Sequence, residues 1–277
     1  MSIELGRFNK LKVLKAVDFG MYLDGGEDGE ILLPSRYVPE GCQPGDELEV
    51  FLYLDNEERL VATTLTPLVQ VGEFACLEVV WVNQYGAFLN WGLMKDLFVP
   101  FREQKQKMQV GKKYVIHAHM DEESYRIVAS AKVDRYLSKD KAPYSQGQEV
   151  DVLIWQKTNL GFKAIIENRY SGLIYDNEVF RQLHTGMRVK AYIKQVREDG
   201  KIDLTMQKLG LGKVNDFSNI LFDYIQAQGG VVDLNDKTPA EEIYHLFGVS
   251  KKTFKKAVGD LYKKRLIVLL DNGMKLI

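Results

Sequence analysis

Tyr85-Gly86-Ala87-Phe88 decides the fold, because the chain writes this step three times in altered form. Its counterparts are Phe19-Gly20-Met21-Tyr22 and Leu160-Gly161-Phe162-Lys163. Upstream of each lies an alternating strand: Lys12 to Val17, Cys76 to Val82 and Val150 to Trp155. Downstream lies a short apolar run: Ile31-Leu32-Leu33-Pro34, Leu97-Phe98-Val99-Pro100 and Leu173-Ile174-Tyr175. The spacing from the residue before the glycine to the end of that run is the same in all three (19 to 34, 85 to 100, 160 to 175). A polar segment then ends at a turn glycine: Gly45, Gly111 or Gly186. A fourth alternating strand follows: Glu47 to Tyr53, Tyr114 to Met120 and Arg188 to Val196. The last strand opens on a basic residue with a small hydroxyl four residues on: Arg59 with Thr63, Arg126 with Ser130, Lys201 with Thr205.

Five short strands in roughly 60–70 residues, with no crossover helix, predict a closed or nearly closed antiparallel barrel. A sheet that small must curl to bury its apolar face, and closure removes its exposed edges. A glycine inside the second strand marks a bend or bulge at a barrel corner. The repeat divides the chain into barrels at 1–68, 69–140 and 141–210, and leaves 211–277 as a separate domain.

In that last block the alternation stops near Lys208 and a helical period begins. Asp216 or Ser218 is placed to cap a helix to about Gln228, ended by Gly229-Gly230. Thr238-Pro239 starts a second helix, with Thr238 as cap and Glu241 and Glu242 at the positive helix end. Ser250 caps a third helix to about Arg265, with Phe254, Ala257, Val258, Leu261 and Tyr262 facing inward. Leu266 to Leu270 and Met274 to Ile277 read as strands joined by Asp271-Asn272-Gly273. Three helices and a hairpin make a winged helix. The fold class is therefore mainly β with a C-terminal α/β domain: three tandem five-stranded barrels followed by a winged-helix domain.

Composition sets the outer limits. The chain has 277 residues, 45% hydrophobic and 27% charged, as expected of a soluble globular protein. No apolar run approaches the roughly 20 residues that span a bilayer, and Met1 to Lys15 lacks the apolar stretch of a signal peptide. Two cysteines, Cys42 and Cys76, with no Cys-x-x-Cys pair, argue against a zinc site or a disulfide framework and fit the cytoplasm. Net charge is −1, but its distribution is uneven. Residues 1–70 hold 6 Lys/Arg against 13 Asp/Glu, a balance of −7. Residues 71–141 hold 11 against 9, residues 142–209 hold 10 against 8, and residues 210–277 hold 10 against 8, each +2. A polyanion should prefer the later blocks.

The repeated segments resemble the S-one RNA-binding domain, an OB-fold. Tyr85-Gly86-Ala87-Phe88 and Arg126-Ile127-Val128-Ala129-Ser130 match that family's second- and fifth-strand signatures. The resemblance implies bases stacked on the strand-two aromatics and RNA held by the strand-five basic residue and a histidine ending strand three. The carry-over is uneven. Segment one has Phe19 and Tyr22, but Pro34 at the histidine position. Segment two has Tyr85, Phe88 and Arg126, with Pro100 there. Segment three has Leu160 and Lys163 in place of the aromatics, Tyr175 at the histidine position and Lys201 on strand five. The candidate RNA contacts of the barrels are thus Tyr85, Phe88, Arg126, Lys163, Tyr175 and Lys201. Those of the winged helix are Lys251, Lys252, Lys255, Lys256, Lys263 and Lys264 on the third helix, opposed only by Asp260. Barrel packing is the competing reading for the aromatics, and a solvated helix face for the lysines.

The order of three barrels and a winged helix resembles the bacterial conserved virulence factor B family, through Glu30-Ile31-Leu32-Leu33-Pro34, Leu97-Phe98-Val99-Pro100 and the stretch Gly248 to Ala257. That resemblance implies RNA binding linked to gene regulation. The expected partner is single-stranded RNA tracking over barrels two and three and the winged helix, with the chain acting as a monomer. Two rivals stay open. One is a DNA-binding transcription regulator using the winged helix; the other is a protein-interaction module for ribosomes or ribonucleases, contacted through the acidic first barrel. No cofactor or metal is expected: His117, His119, His184 and His245 do not cluster with carboxylates or cysteines. Trp81, Trp91 and Trp155 read as barrel packing. Without a phosphate loop, a Gly-x-Ser-x-Gly elbow or a His-Glu-x-x-His helix, the reading is not an enzyme.

Overall fold

The structure is a computed structural model that describes residues 3–179, 182–206 and 213–277, without the side chains of 213–216. The expected boundary at Lys208 and the side chain of Asp216 lie outside the described residues. Three closed barrels follow one another. The first is built from β1 (Phe8–Val17), β2 (Gly20–Asp24), β3 (Glu30–Pro34), β4 (Glu47–Leu54) and β5 (Leu60–Thr63). The second has β6 (Phe74–Val82), β7 (Gly86–Asn90), β8 (Leu97–Pro100), β9 (Lys113–Met120) and β10 (Ile127–Ser130). The third has β11 (Glu149–Lys157), β12 (Gly161–Ile166), β13 (Tyr170–Tyr175), β14 (Arg188–Val196) and β15 (Ile202–Thr205). Each closes in the same way: strand one pairs antiparallel with strand four, and strand three pairs parallel with strand five. The basic residue of each last strand sits one position before the strand rather than in it.

Closure at this size needs a sharp bend, and two devices supply it in every copy. The first strand is bulged between Val13 and Lys15, Val79 and Trp81, and Ile154 and Gln156. The second strand starts at a glycine because strand three passes too close for a side chain. A Cβ on Gly20, Gly86 or Gly161 would lie 2.1, 2.3 or 2.1 Å from the carbonyl oxygen of Leu33, Val99 or Ile174. The hydroxyls of the fifth strands, at Thr63, Ser130 and Thr205, are buried. In barrels two and three a carboxylate takes them: Ser130 donates to Glu103 at 2.6 Å and Thr205 to Glu178 at 2.8 Å.

The described chain divides into two compact units, Met1–Ser138 with Thr185–Met187, and Lys139–His184 with Arg188–Ile277. Within the first, β4 is buried on both faces, which is why Val50-Phe51-Leu52-Tyr53 reads as a continuous apolar run. Val50 and Leu52 point into barrel one, while Phe51 and Tyr53 join the core of barrel two. Phe51 meets Trp91 edge-on at 5.7 Å. Trp91 therefore packs between two barrels, and Trp155 is buried at the bulge of the third.

The winged helix has α1 (Lys213–Ala227), β16 (Val231–Val232), α2 (Ala240–Phe247), α3 (Lys251–Lys263), β17 (Ile267–Leu270) and β18 (Gly273–Leu276). Phe217, Leu221, Ile225, Ile243, Phe254, Ala257, Val258 and Leu261 form its core. Ser250 caps α3 by accepting from the Thr253 amide at 3.2 Å. Three expectations are corrected. Ser218 is a buried residue inside α1, which starts earlier, at Lys213. Thr238 does not cap α2; its hydroxyl accepts from the Asn235 amide at 2.9 Å and so closes the preceding turn. Gly273 belongs to β18 rather than to the turn, because β16, a strand not expected from the sequence, passes within 2.2 Å of where its Cβ would be.

Candidate nucleic-acid interface

The second barrel presents its rings outward. Its bulge turns Trp81 to the surface, 44% exposed, where it pairs across strands with Phe88. The two rings stack with centroids 3.7 Å apart and planes 3° from parallel, and Phe98 continues the row at 4.8 Å. Trp81 is held in place by its indole N–H, which donates to Asp96 at 2.9 Å. Tyr85 stands at the edge of the row, 64% exposed. Its loop is fixed by Asn83, whose side-chain oxygen accepts the amides of Tyr85 at 2.8 Å and Gly86 at 3.2 Å. These rings line a groove of about 590 Å³ with Met94, Lys95 and Arg126. Tyr53 and Leu54 at the end of β4 and Asn56 in the turn after it line the same groove, so barrel one contributes to it.

The two cations of the groove are engaged by the β4–β5 turn. Arg126 pairs with Glu58, and the Lys95 ammonium donates to the Asp55 carbonyl at 2.6 Å. Burial pulls the Lys95 ammonium below the usual lysine value, and the neighbouring Arg126 charge adds to this. Asp55 organises the turn, its carboxylate accepting from the amides of Glu57 at 2.8 Å and Arg59 at 3.0 Å.

The equivalent faces of the other barrels differ in chemistry. By strand register, Trp81, Phe88 and Phe98 correspond to Lys15, Tyr22 and Leu32 in barrel one and to Gln156, Lys163 and Leu173 in barrel three. In barrel one, exposed Phe19 meets Tyr22 edge-on at 6.3 Å, and Lys15 lies over Tyr22 while pairing with Glu30 at 2.6 Å. In barrel three, Lys163 lies 5.0 Å over the Trp155 ring. Tyr175 is half-buried and accepts from Arg197 at 2.6 Å, and Arg197 is also held by Asp203. Lys201 is exposed and pairs with Asp199 at 2.7 Å. At those three positions the third barrel thus offers an amide, an ammonium group and a leucine where the second offers three rings.

On α3, Lys252, Lys256 and Lys263 form one stripe at helical spacing, with Gly259 between them and open space beside it. The other lysines have partners: Lys251 donates to the Lys237 carbonyl at 3.3 Å, Lys255 lies 3.9 Å from Asp236, and Lys264 pairs with Asp260 at 2.7 Å. Tyr262, expected to face inward, is 55% exposed beside this stripe.

Sequence reasoning placed Tyr85, Phe88 and Arg126 in what proves to be one groove, and missed Trp81, Phe98, Met94 and Lys95. The expectation that Trp81 packs inside the barrel is corrected, because the bulge reverses the side on which its ring falls. The alternation of Leu77, Val79 and Trp81 by itself puts all three on one inward face, and the bulge between Val79 and Trp81 breaks it. His117 and His119 share one face of β9, with Tyr136 stacked on His117 at 4.1 Å. Burial pushes the His117 imidazole down to about 4. Among the described residues no group of three His, Cys, Asp or Glu side chains is placed to hold a metal ion, and no helix is long and apolar enough to cross a membrane.

Three OB-type barrels with a ring-lined groove and a winged helix define a protein of the nucleic-acid-binding class. Residues 5–65 match the family model described as S1 domain, and residues 219–276 match that of the CvfB-like winged helix domain. Neither model describes an enzyme. The chain is similar over most of its length to the uncharacterized protein YitL of Bacillus subtilis, 28% identical over 98% of this chain and 93% of that one. It is likewise similar to conserved virulence factor B of Staphylococcus aureus, 22% identical over 87% of this chain and 83% of that one. A solved structure from Streptococcus pneumoniae, described as a multidomain protein with nucleic acid binding domains, aligns with TM-score 0.45 and 23% identity, covering 99% of this chain and 98% of that one.

Proposed function

We propose that this protein binds single-stranded RNA, with barrel two as the stacking platform, and acts in post-transcriptional regulation in the cytoplasm. The observation that carries the reading is the outward stack of Trp81 on Phe88, beside exposed Tyr85 and next to Arg126. Rings open to solvent accept bases of any sequence at about 1–3 kcal/mol per base, and splayed single strands can reach them where duplexes cannot. Lys163, Tyr175 and Lys201 of barrel three and the α3 lysines would add contacts along the same strand. Each is weak alone and raises affinity through effective concentration.

The test is a titration of the intact, nuclease-treated chain against homopolymer RNAs at two salt concentrations, with duplex DNA as competitor. The reading expects RNA binding that weakens with salt and survives an excess of duplex. Displacement of RNA by duplex DNA would instead favour the α3 stripe of Lys252, Lys256 and Lys263 as the principal contact and the winged helix as a duplex reader.

A further inference from the structure

The turn between β4 and β5 belongs to barrel one, yet its oxygens act on the groove of barrel two. It runs from Asp55 to Arg59 and closes with the Asp55 amide donating to the Arg59 carbonyl at 3.0 Å. The Glu58 carboxylate takes the Arg126 guanidinium, and the Asp55 carbonyl takes the Lys95 ammonium. Arg126 and Lys95 are the cations that line the groove, so the protein itself occupies both. The turn is braced in this shape. Arg59 donates to the Asp55 carboxylate at 2.9 Å and pairs with Glu57 at 3.0 Å, and neither bond involves a groove cation.

The same turn recurs in each barrel, and the residue before its basic residue has a positive φ every time. Glu58 stands at 65°, Tyr125 at 54° and Gly200 at 80°. Glycine is the residue this backbone favours, and barrel three uses it. Barrel one instead holds a glutamate there against local strain, and that side chain crosses to Arg126. Strain kept where a ligand would bind has the character of a switch or clamp.

A groove of about 590 Å³ lined by rings is large enough for a single nucleotide. Left open, it would take up any free base that carries a phosphate. With the turn in place, one phosphate must displace one carboxylate, which exchanges like for like. The apparent affinity then falls by the fraction of molecules in which Arg126 is free. A strand already held elsewhere on the chain meets the same groove at a high effective concentration and so displaces the turn.

We infer that the β4–β5 turn is an autoinhibitory plug whose oxygens stand in for phosphate, refusing free nucleotides to the groove and yielding to a strand held at further points. This rests on the reading of the groove as an RNA-binding site.

The experiment is a calorimetric titration of the full-length, nuclease-treated chain with adenosine monophosphate and with long polyadenylate, for the wild type, Glu58→Gln, Glu58→Gly and Glu57→Gln. The wild type should bind polyadenylate and take up the mononucleotide weakly. Both Glu58 variants should bind the mononucleotide about tenfold more tightly. Glu57→Gln removes the same charge from the same turn without touching Arg126, and should leave mononucleotide binding close to that of the wild type. Glu58 is exposed and glycine suits its backbone, so Glu58→Gly should keep the wild-type denaturation midpoint. Polyadenylate binding with no mononucleotide gain in either Glu58 variant would overturn the inference and leave the RNA reading standing. So would an equal gain in Glu57→Gln, which would trace the effect to net charge. No binding of either ligand by any of the four proteins would overturn both.

Discussion

Trp81 and Phe88 lie on adjacent strands with their rings 3.7 Å apart and parallel to within 3°. The pair presents one continuous π-surface at the mouth of a groove. Replacing either ring by alanine should weaken RNA binding by about 1–3 kcal/mol, and replacing both should cost less than the sum because they form one platform. Trp81 is also the exposed indole of the three, so bound RNA should quench its fluorescence. Trp81→Phe should abolish the quench and keep most of the affinity. A quench that persists in that variant would move the base away from this stack.

Glu58 occupies the guanidinium that a phosphate would use. Glu58→Gln should therefore tighten RNA binding severalfold and steepen the dependence of log K on log salt by about 0.7, the increment of one added phosphate contact on a single strand. Adding Arg126→Ala to Glu58→Gln should cancel both gains. Equal salt slopes in wild type and Glu58→Gln would mean that Arg126 does not meet the backbone.

The α3 stripe makes a separable contribution. Changing Lys252, Lys256 and Lys263 together to alanine should weaken binding similarly for all RNA sequences and flatten the salt slope, without loss of helical circular dichroism, since all three are exposed. Lys251, Lys255 and Lys264, held by Lys237, Asp236 and Asp260, should each matter less.

Gly86 should tolerate no side chain. Its Cβ would meet the Val99 carbonyl at 2.3 Å and the Phe98 ring at 2.8 Å. Gly86→Ala should cost at least about 1–3 kcal/mol in chemical denaturation and disturb the ring row as well. Gly259→Ala, in open space on α3, should instead stabilise the winged helix by up to about 1 kcal/mol.

His117 ties stability to acidity. It is buried between Phe74 and Tyr136, with its pKa pushed down to about 4 from 6.5. The unfolded chain therefore binds the extra proton first as pH falls. The stability His117 confers is complete above pH 6.5 and is lost progressively down to about pH 4, by at most about 3 kcal/mol. Denaturation midpoints at neutral and mildly acidic pH should diverge in the wild type and converge in His117→Phe. A similar acid loss in both would place the titrating group elsewhere.

The barrels were legible because their signals are local: a glycine where two backbones touch, a fixed span to the third strand, a hydroxyl that must be buried. Tyr85, Phe88 and Arg126 were legible for the same reason. Trp81 was not, because a single inserted residue at the bulge reverses the face of everything after it, and alternation alone does not reveal the insertion. Lys95, Asn56 and Glu58 were not, because they enter the groove through the packing of one barrel on another, which no pattern within either barrel records. The cap at Thr238 failed because the same hydroxyl had a competing use in the turn before it.

The two-sided burial of β4 means that the repeats are not interchangeable beads. Cutting the chain after the first would strip Phe51 and Tyr53 of their cover and leave Trp91 without its floor, so neither half should survive alone as a soluble fragment. The first barrel can lose its own affinity for polyanions and still be retained, because its neighbour needs it in order to stand.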